Sequence, residues 1–296
     1  MDLQDKIKEE SSPSTKRFNH NSNFGDEAQI NNVLSPQNHF KSSVPEGIRI
    51  VIGIPSSMRR SENYLFQTLK TLFKDKDILT NKYLIIVMLS TFNHTWRTSV
   101  KFNILSNFSN QINSGILQVI LPEKDYYPNE MLRAFTSDMD KDYLIWMKKQ
   151  SMDFAYLYRY TYQKFNFKYF LQLEDDSLPQ VLIYQKWSLL FKSMKLWTIG
   201  CICIFADWEP LQNYSETMFK AFYNKIPCDW VLELFSIGKS FNCVTNKGSR
   251  YMTAARNTTC MSKLFPTINN SLFQHIGRES SLFGKVQNAI DNTFRD

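Results

Sequence analysis

The chain has 296 residues, 43% of them hydrophobic and 21% charged, so it can bury the core of one large domain or two modest ones. Its 35 Lys and Arg residues outnumber its 28 Asp and Glu residues and give a formal net charge of +7. Because these cations are scattered rather than arranged in a stripe, they argue against nucleic-acid binding. The positive net charge is also compatible with a basic pocket for a phosphorylated small molecule.

The first 46 residues are rich in Ser, Asn, Lys and Glu, and we predict that they are disordered. Order should begin at Ile48–Pro55, a β-branched run that Gly and Pro stop. Ser61 is predicted to cap a helix in which apolar residues follow helical spacing. These apolar positions are Leu65, Leu69, Leu72 and Phe73. A second strand is predicted at Tyr83–Leu89.

The next elements continue the alternation of helices and strands. We predict a helix from about Ser99 to Phe108, a strand at Gly115–Leu121, a long helix at Tyr143–Tyr162 and a strand at Lys168–Leu173. After Pro179 the pattern predicts a helix, one strand over Trp197–Phe205, and helices near Glu216 and Trp230. Since the strands are apolar through most of their length, they indicate a mostly parallel central sheet flanked by helices, an α/β fold.

Five Asn-X-Ser/Thr sequons favour the secretory pathway, because chance supplies only about one or two in such a length. They lie at Asn93, Asn107, Asn213, Asn257 and Asn269. Five cysteines are too few for a disulfide scaffold. The polar start of the chain and strand-length apolar runs predict no transmembrane segment, since a bilayer requires about 20 apolar residues. How the chain would enter the secretory pathway stays open.

Three consecutive carboxylates, Glu174, Asp175 and Asp176, directly follow the predicted strand at Lys168–Leu173. One interpretation is that Asp175 or Asp176 caps a following helix while the other side chains are solvated. The other is a divalent-metal site, because ligands at the carboxyl ends of parallel strands are common and carboxylate oxygens suit Mg²⁺ or Mn²⁺. Such a cation could stabilise charge on a departing nucleoside diphosphate. The triplet resembles the D-x-D signature of sugar-nucleotide glycosyltransferases.

Six stretches resemble, in the same order, the N-acetylglucosaminyltransferase IV family, whose members are Golgi α-1,3-mannosyl-glycoprotein 4-β-N-acetylglucosaminyltransferases. They are GIPSSMRRSENYLFQTL near Gly53, SGILQVILPEKDYYP near Ser114, WMKKQSMDF near Trp146, QLEDD, KIPCDWVLELF near Lys225 and SLFQHIGRESSLFGKVQ from Ser271. The resemblance covers roughly Arg49 to Phe294. It implies a GT-A-like α/β domain over residues 47–296 and residence in the Golgi lumen. It also implies an inverting, metal-dependent transfer from UDP-N-acetylglucosamine to a mannose of the N-glycan core, forming the β-1,4 branch.

The resemblance also assigns roles to the acidic triplet and to the first strand-to-helix turn. Asp176 would be the main ligand of Mn²⁺ or Mg²⁺ with Asp175 in support, and Glu174 would reach the ribose or the groups around the metal. Donor-binding positions would be Gly53, Pro55, Ser56, Arg59, Lys149, Glu174 and Asp175. Arg59 could grip a phosphate with two parallel hydrogen bonds, although an arginine there could equally be a solvated surface residue.

Two further residues are candidates for the chemistry. His275 could complete the metal shell or contact the donor, because a neutral imidazole ligates Mn²⁺, although a lone histidine among apolar neighbours is more often structural. Inverting transfer also requires a general base. Asp229, in Pro-Cys-Asp-Trp, is the candidate, and an N-cap is an equally good explanation of it.

Departures from the family suggest a rival function. Cys201 and Met147 stand where relatives carry Glu and Arg, and losing such groups can abolish turnover while the fold remains. The chain would then be a catalytically impaired member that binds and regulates another glycosyltransferase. Cys243 and Cys260 fall where relatives have a cysteine pair, so the resemblance implies a disulfide between them.

Overall fold

The computed structural model describes much of the chain from Ile50 onwards. The described residues are 50–60, 63–74, 83–129, 143–179, 196–199, 202–205, 273–282, 285–286 and 294. The strands are β1 (Ile50–Ser56), β2 (Tyr83–Leu89), β3 (Leu117–Ile120), β4 (Tyr169–Leu173), β5 (Ser177–Pro179), β6 (Leu196–Ile199), β7 (Ile202–Phe205) and β8 (Phe273–His275). The helices are α1 (Leu65–Leu72), α2 (His94–Asn113), α3 (Tyr143–Lys164) and a 3-10 turn at Lys124–Tyr126. Predictions for residues 1–46, for the helix after Pro179 and for helices near Glu216 and Trp230 lie outside these ranges.

Six strands form one sheet in the order β3-β2-β1-β4-β7-β6. Strand β1 lies between β2 and β4 and is parallel to both, and β2 is parallel to β3. Strand β7 is antiparallel to β4 and to β6. The predicted α/β class, with a mostly parallel sheet flanked by helices, is confirmed.

The single strand predicted over Trp197–Phe205 is wrong. The chain instead forms two short antiparallel strands, β6 and β7, in which Thr198 pairs with Cys203 and Ile199 with Ile202. Only two residues separate the strands, and the first of them is Gly200. A two-residue connection that begins with glycine favours a hairpin. The prediction of one strand overlooked this glycine within the long apolar run.

Two helices begin at residues other than those predicted. Helix α1 begins at Leu65 rather than just after Ser61, because the Asn63 side chain accepts a hydrogen bond from the Leu65 amide at 3.1 Å. Helix α2 begins earlier than predicted, at His94, because Asn93 caps it through the Trp96 amide at 2.9 Å. It continues to Asn113 across a local break at Phe108, where φ is −130° and ψ is 29°.

The parallel strands β1, β2 and β4 are buried on both faces, as parallel strands in an α/β fold require. On one face, alternate residues of β1 pack with apolar side chains of α1 and α2; among them are Ile52, Leu69 and Ile104. On the other face, Val51 and Phe170 pack against α3. Fully burying one such side chain contributes roughly 1.5–3 kcal/mol, so the two layers hold the sheet rigidly under the loops that follow its strands.

The carboxyl ends of β1, β2, β3 and β4 meet at one edge of the sheet because these strands are parallel. Beside this edge, β5 and β8 form a separate antiparallel pair in which Ser177 lies opposite His275. This small pair brings the HIGRE segment near the end of the chain next to the acidic triplet that follows β4. Along the described helices, none combines the length and apolar character needed to cross a bilayer.

Candidate functional site

The turn between β4 and β5 holds the acidic triplet against the segment that follows β8. The backbone amide of Ile276 donates to the carbonyl oxygen of Asp176 at 2.8 Å, which extends the pairing of β5 with β8 by one bond. Gly277 then passes directly beside the Asp176 carboxylate, where a methyl group would overlap atom Oδ2. The two segments, distant in sequence, therefore form one small site.

Glu174, Asp176 and His275 converge in this site. Each offers one ligand atom, and these atoms lie within 4.8 Å of one another. The His275 Nε2 atom lies 3.2 Å from Asp176 Oδ2 and 3.8 Å from Glu174 Oε2. The hydrogen bond to Asp176 raises the pKa of His275 above its ordinary value, against the opposing effect of burial. Burial would raise the pKa of Asp176, but the contacts with His275 and Arg59 outweigh it and lower that pKa.

The donor atoms of this trio fit a divalent cation. Asp176 is only 4% exposed, and its Oδ1 atom has no hydrogen-bond partner among the described residues. Buried carboxylate oxygens in folded proteins nearly always have a partner, so a missing one calls for an explanation such as an ion. Two carboxylates and one imidazole form a ligand set that Mn²⁺ accepts readily. We therefore find the residues present suited to such a cation.

Asp175 is not one of the trio and is paired with Arg59. The guanidinium forks onto its carboxylate, with Nη2 2.6 Å from Oδ1 and Nη1 2.8 Å from Oδ2. The Ser56 hydroxyl donates to Oδ2 at 2.6 Å, and the Thr68 hydroxyl donates to the Asp175 carbonyl oxygen at 2.8 Å. Both carboxylate oxygens of Asp175 thus bond to protein groups, whereas in Asp176 only Oδ2 does so among the described residues.

The other predicted donor-binding residues of β1 occupy different environments. Gly53 lies in the core, where a Cβ atom would come within 2.5 Å of Phe170 Cζ and 2.9 Å of Leu157 Cδ2. Pro55 is half-buried near the carboxyl end of the strand. Ser56, at that end, is the one of the three that bonds to the acidic triplet.

Lys149 lies in a second polar cluster, inside helix α3. Its Nζ atom is 2.5 Å from Asp153 Oδ2, and the Tyr127 hydroxyl donates to Asp153 Oδ1 at 2.7 Å. Burial raises the pKa of Asp153, against the lowering effect of Lys149 and of hydrogen bonds that include one from Ser90. The Ser90 hydroxyl also bonds to the Ser56 carbonyl oxygen at 2.8 Å, so the cluster reaches the edge of the candidate site.

Sequence reasoning missed Asp153, Tyr127, Ser90 and Tyr64. The spacing of Lys149 and Asp153, four residues apart on a helix, was a usable signal for an ion pair. Tyr64 had no such signal, although its hydroxyl oxygen accepts from the Arg278 and Glu279 amides at 3.1 and 3.3 Å.

Several predicted residues lie outside the described ranges. They are the base candidate Asp229, the cysteine pair Cys243 and Cys260, the departure at Cys201, and the sequons at Asn213, Asn257 and Asn269. Of the two described sequons, Asn93 caps α2 with its side chain, whereas Asn107 lies exposed on the same helix.

Comparison with known proteins finds one matching family model and several relatives. Residues 14–294 match the family model described as the MGAT4 conserved region. Alpha-1,3-mannosyl-glycoprotein 4-beta-N-acetylglucosaminyltransferase A of Rattus norvegicus is 28% identical over 84% of this chain and 47% of its own length. The protein of the same name in Xenopus tropicalis is 30% identical over 84% of this chain and 46% of its own length. The chain thus spans about half the length of the curated relatives it matches.

A solved structure of an active-site mutant of the glycosyltransferase LgtC is similar at a TM-score of 0.42 and 10% identity, over 76% of this chain and 86% of that one. The match to the family model is much more extensive and covers nearly all of this sequence, including the acidic triplet and the HIGRE segment. By that match, the chain belongs to the MGAT4 conserved region family.

Proposed function

We propose that this chain is a glycosyltransferase of the Golgi lumen that transfers N-acetylglucosamine from UDP-N-acetylglucosamine to a mannose of the N-glycan core. The transfer would form the β-1,4 branch with inversion and would depend on a divalent cation. The proposal is supported by the membership of the family and by the names of the curated relatives.

The observation that carries the proposal is the convergence of Glu174, Asp176 and His275 at the carboxyl edge of a parallel sheet. This edge is where open α/β sheets bind their ligands. Among the residues that the structure describes, the Oδ1 atom of Asp176 has no hydrogen-bond partner, which supports a cation at that point rather than a self-sufficient hydrogen-bond network.

Glu174 and Asp176 would hold the cation through carboxylate oxygens, and His275 would hold it through Nε2. When bound, a divalent cation supplies neutralising charge for the diphosphate of the donor and of the leaving group. Asp229 is the proposed acceptor of the proton from the mannose hydroxyl. The carboxyl end of β1, where Ser56 bonds to Asp175 and to Ser90 just after β2, lies beside the acidic triplet and would receive the nucleotide.

Calorimetry of UDP binding tests the site directly. We expect UDP to bind the purified chain in the presence of Mn²⁺ and to bind weakly after chelation of the metal. Asp176→Asn preserves the shape of the side chain and removes its charge, so it should weaken metal-dependent binding by about 10- to 100-fold. The exposed Lys70 on α1 provides a control, and Lys70→Met should bind as the wild type does. A wild-type chain that binds neither Mn²⁺ nor UDP would overturn the assignment.

Activity is tested with labelled UDP-N-acetylglucosamine and a biantennary N-glycan acceptor. A labelled product that carries a β-1,4-linked N-acetylglucosamine on mannose would establish the reaction and its stereochemistry. Nucleotide binding without product would instead favour the rival hypothesis of an impaired family member that regulates another glycosyltransferase.

A further inference from the structure

The guanidinium of Arg59 joins three separate parts of the candidate site. Its terminal nitrogens fork onto Asp175, and Nη2 also lies 3.0 Å from Asp176 Oδ2. Its Nε atom donates to the backbone carbonyl oxygen of Glu279 at 3.0 Å. One side chain therefore ties the loop after β1 to the acidic turn after β4 and to the segment after β8.

These contacts leave the guanidinium little capacity to bind a phosphate. The Nε donor and both terminal nitrogens are already used by protein acceptors, and the side chain is 9% exposed. The ring of Tyr64 lies against it, with the ring centroid 5.2 Å from Cζ. A phosphate could receive two parallel bonds from Arg59 only if some of these bonds to protein acceptors broke.

The charges of the site assign Arg59 a different task. Three adjacent carboxylates repel one another, and the single positive charge of Arg59 lies closest to Asp175. Asp175 is fixed in turn by Ser56 and Thr68, so the pair is anchored to β1 and α1. This arrangement neutralises one acid, and the Oδ1 atom of Asp176 still has no hydrogen-bond partner among the described residues.

We propose that Arg59 is a positioning residue, which holds the acidic turn and the segment Ile276–Glu279 in the geometry that binds the divalent cation, and that it does not contact the donor phosphates. The inference rests on the proposed metal site. Burial alone would lower the pKa of Arg59, but the contacts with Asp175, together with the charges of Asp176 and Glu174, raise that pKa above its ordinary value, so the guanidinium stays charged.

Separate titrations with Mn²⁺ and with nucleotide distinguish a positioning role from phosphate binding. Arg59→Lys keeps the positive charge and loses the planar fork. We expect it to weaken binding of Mn²⁺ alone by about 10- to 100-fold, the usual cost of losing a group that orients a metal ligand. Once Mn²⁺ is raised to saturation, its affinities for UDP and for uridine should both be close to those of the wild type.

A phosphate-binding Arg59 would give the opposite pattern. Binding of Mn²⁺ alone would be unchanged in Arg59→Lys, and at saturating Mn²⁺ the affinity for UDP would fall while that for uridine would not. That result overturns the inference. A wild-type chain that binds no Mn²⁺ overturns the proposed metal site and the inference together, so the two failures are distinguishable.

Asp175→Asn provides a second variant that leaves Arg59 in place. If the two residues act as one unit, it should weaken Mn²⁺ binding as Arg59→Lys does, and the double variant should be little worse than either single one. Effects that multiply in the double variant contradict the proposal. Lys70→Met, which removes an exposed positive charge from α1, is the matched charge control. Circular dichroism and thermal unfolding of each variant confirm that folded proteins are compared.

Discussion

Gly277 lies directly against the carboxylate of Asp176, with no room for a side chain between its Cα atom and Oδ2. The same segment also contacts the backbone of Asp176, because the neighbouring Ile276 amide donates to the Asp176 carbonyl oxygen at 2.8 Å. The direction of the Asp176 carboxylate therefore depends on the residue at position 277, which no alignment of ligand residues alone would reveal.

Gly277→Ala should displace the carboxylate and weaken Mn²⁺ binding about 10-fold or more, since it disturbs a group that backs a metal ligand. We also expect it to lower the free energy of unfolding by about 1–3 kcal/mol, as overpacking of a buried contact usually does. Calorimetry and denaturant unfolding measure the two effects. Val286→Ala, at a 67% exposed position of the same segment, should change neither. Unchanged Mn²⁺ affinity in Gly277→Ala would argue against Asp176 as a ligand.

Lys149→Met should destabilise the protein. It leaves the buried Asp153 carboxylate without its cationic partner, and breaking one side of a buried pair costs about 3–5 kcal/mol in the free energy of unfolding. Lys124→Met removes an exposed lysine and should cost less than about 0.5 kcal/mol. Adding Asp153→Asn to Lys149→Met removes the unpaired charge and should recover part of the loss. Equal stability of the two single lysine variants would contradict the ion-pair role.

The metal-free protein should lose stability as the pH rises past neutrality. The hydrogen bond to Asp176 raises the pKa of His275 above the ordinary 6.5, and Glu174 acts in the same direction while burial and Arg59 oppose it. The folded state therefore holds the proton more tightly than the unfolded chain does. Its contribution is complete below the unfolded value and disappears as the pH rises through the raised pKa.

Thermal unfolding in a metal chelator, measured between about pH 5.5 and pH 8.5, tests this contribution around the ordinary histidine pKa. His275→Gln should flatten the decline on the alkaline side. His94→Gln changes an exposed histidine on α2 and should leave the decline as in the wild type. A decline that persists unchanged in His275→Gln would assign the pH dependence to other groups.

Asn93→Ala should destabilise the start of α2, because the Asn93 side chain accepts the Trp96 amide hydrogen bond at 2.9 Å. Losing such an N-cap costs about 1 kcal/mol. Asn93→Asp retains the acceptor and should be close to the wild type. Both variants remove the sequon, so denaturant unfolding of unglycosylated protein compares the cap alone. If Asn93→Ala and Asn93→Asp lowered the free energy of unfolding equally, the lost hydrogen bond would not be the cause of the destabilisation.

Expression through a secretory pathway should attach an N-glycan at Asn107. Its side chain is exposed on α2, which is the accessibility that a glycan requires. Peptide mass spectrometry should find the glycan there. Asn107→Gln should remove the glycan and leave folding intact. Unmodified Asn107 in luminal protein would contradict the prediction.

The parallel strands could be predicted because burial on both faces gives them continuous apolar sequence. The predicted strand at Tyr83–Leu89 corresponds to β2, and the predicted helix at Tyr143–Tyr162 corresponds to α3. Hairpin β6–β7 was missed because two short apolar strands in succession have the same composition as one long one. Helix limits depended on local contacts such as that of Asn63 with the Leu65 amide, which several neighbouring polar residues could have made equally well.

The acidic triplet was predicted as the centre of the site from its place at the end of a strand. The different contacts of its members were not predictable, because Asp175 and Asp176 are adjacent in sequence and share Arg59, while only Asp175 bonds to Ser56 and only Asp176 contacts His275. Arg59 is separated from Asp175 by 116 residues, and only the meeting of β1 with β4 makes the fork possible. Sequence alone predicted Lys149 as a donor-binding residue and did not predict its burial against Asp153, because that burial depends on the packing of α3.

The bond from Arg59 to Glu279 closes a loop of 220 residues, so the two halves of the site leave the ribosome far apart in time. Strand β1 is synthesised before β4, and Glu279 follows Arg59 by 220 residues. The acidic turn is therefore synthesised without the segment that contacts Asp176, and a nonsense mutation before Phe273 would remove that segment altogether. The proposed metal site can form only after that segment has been translated.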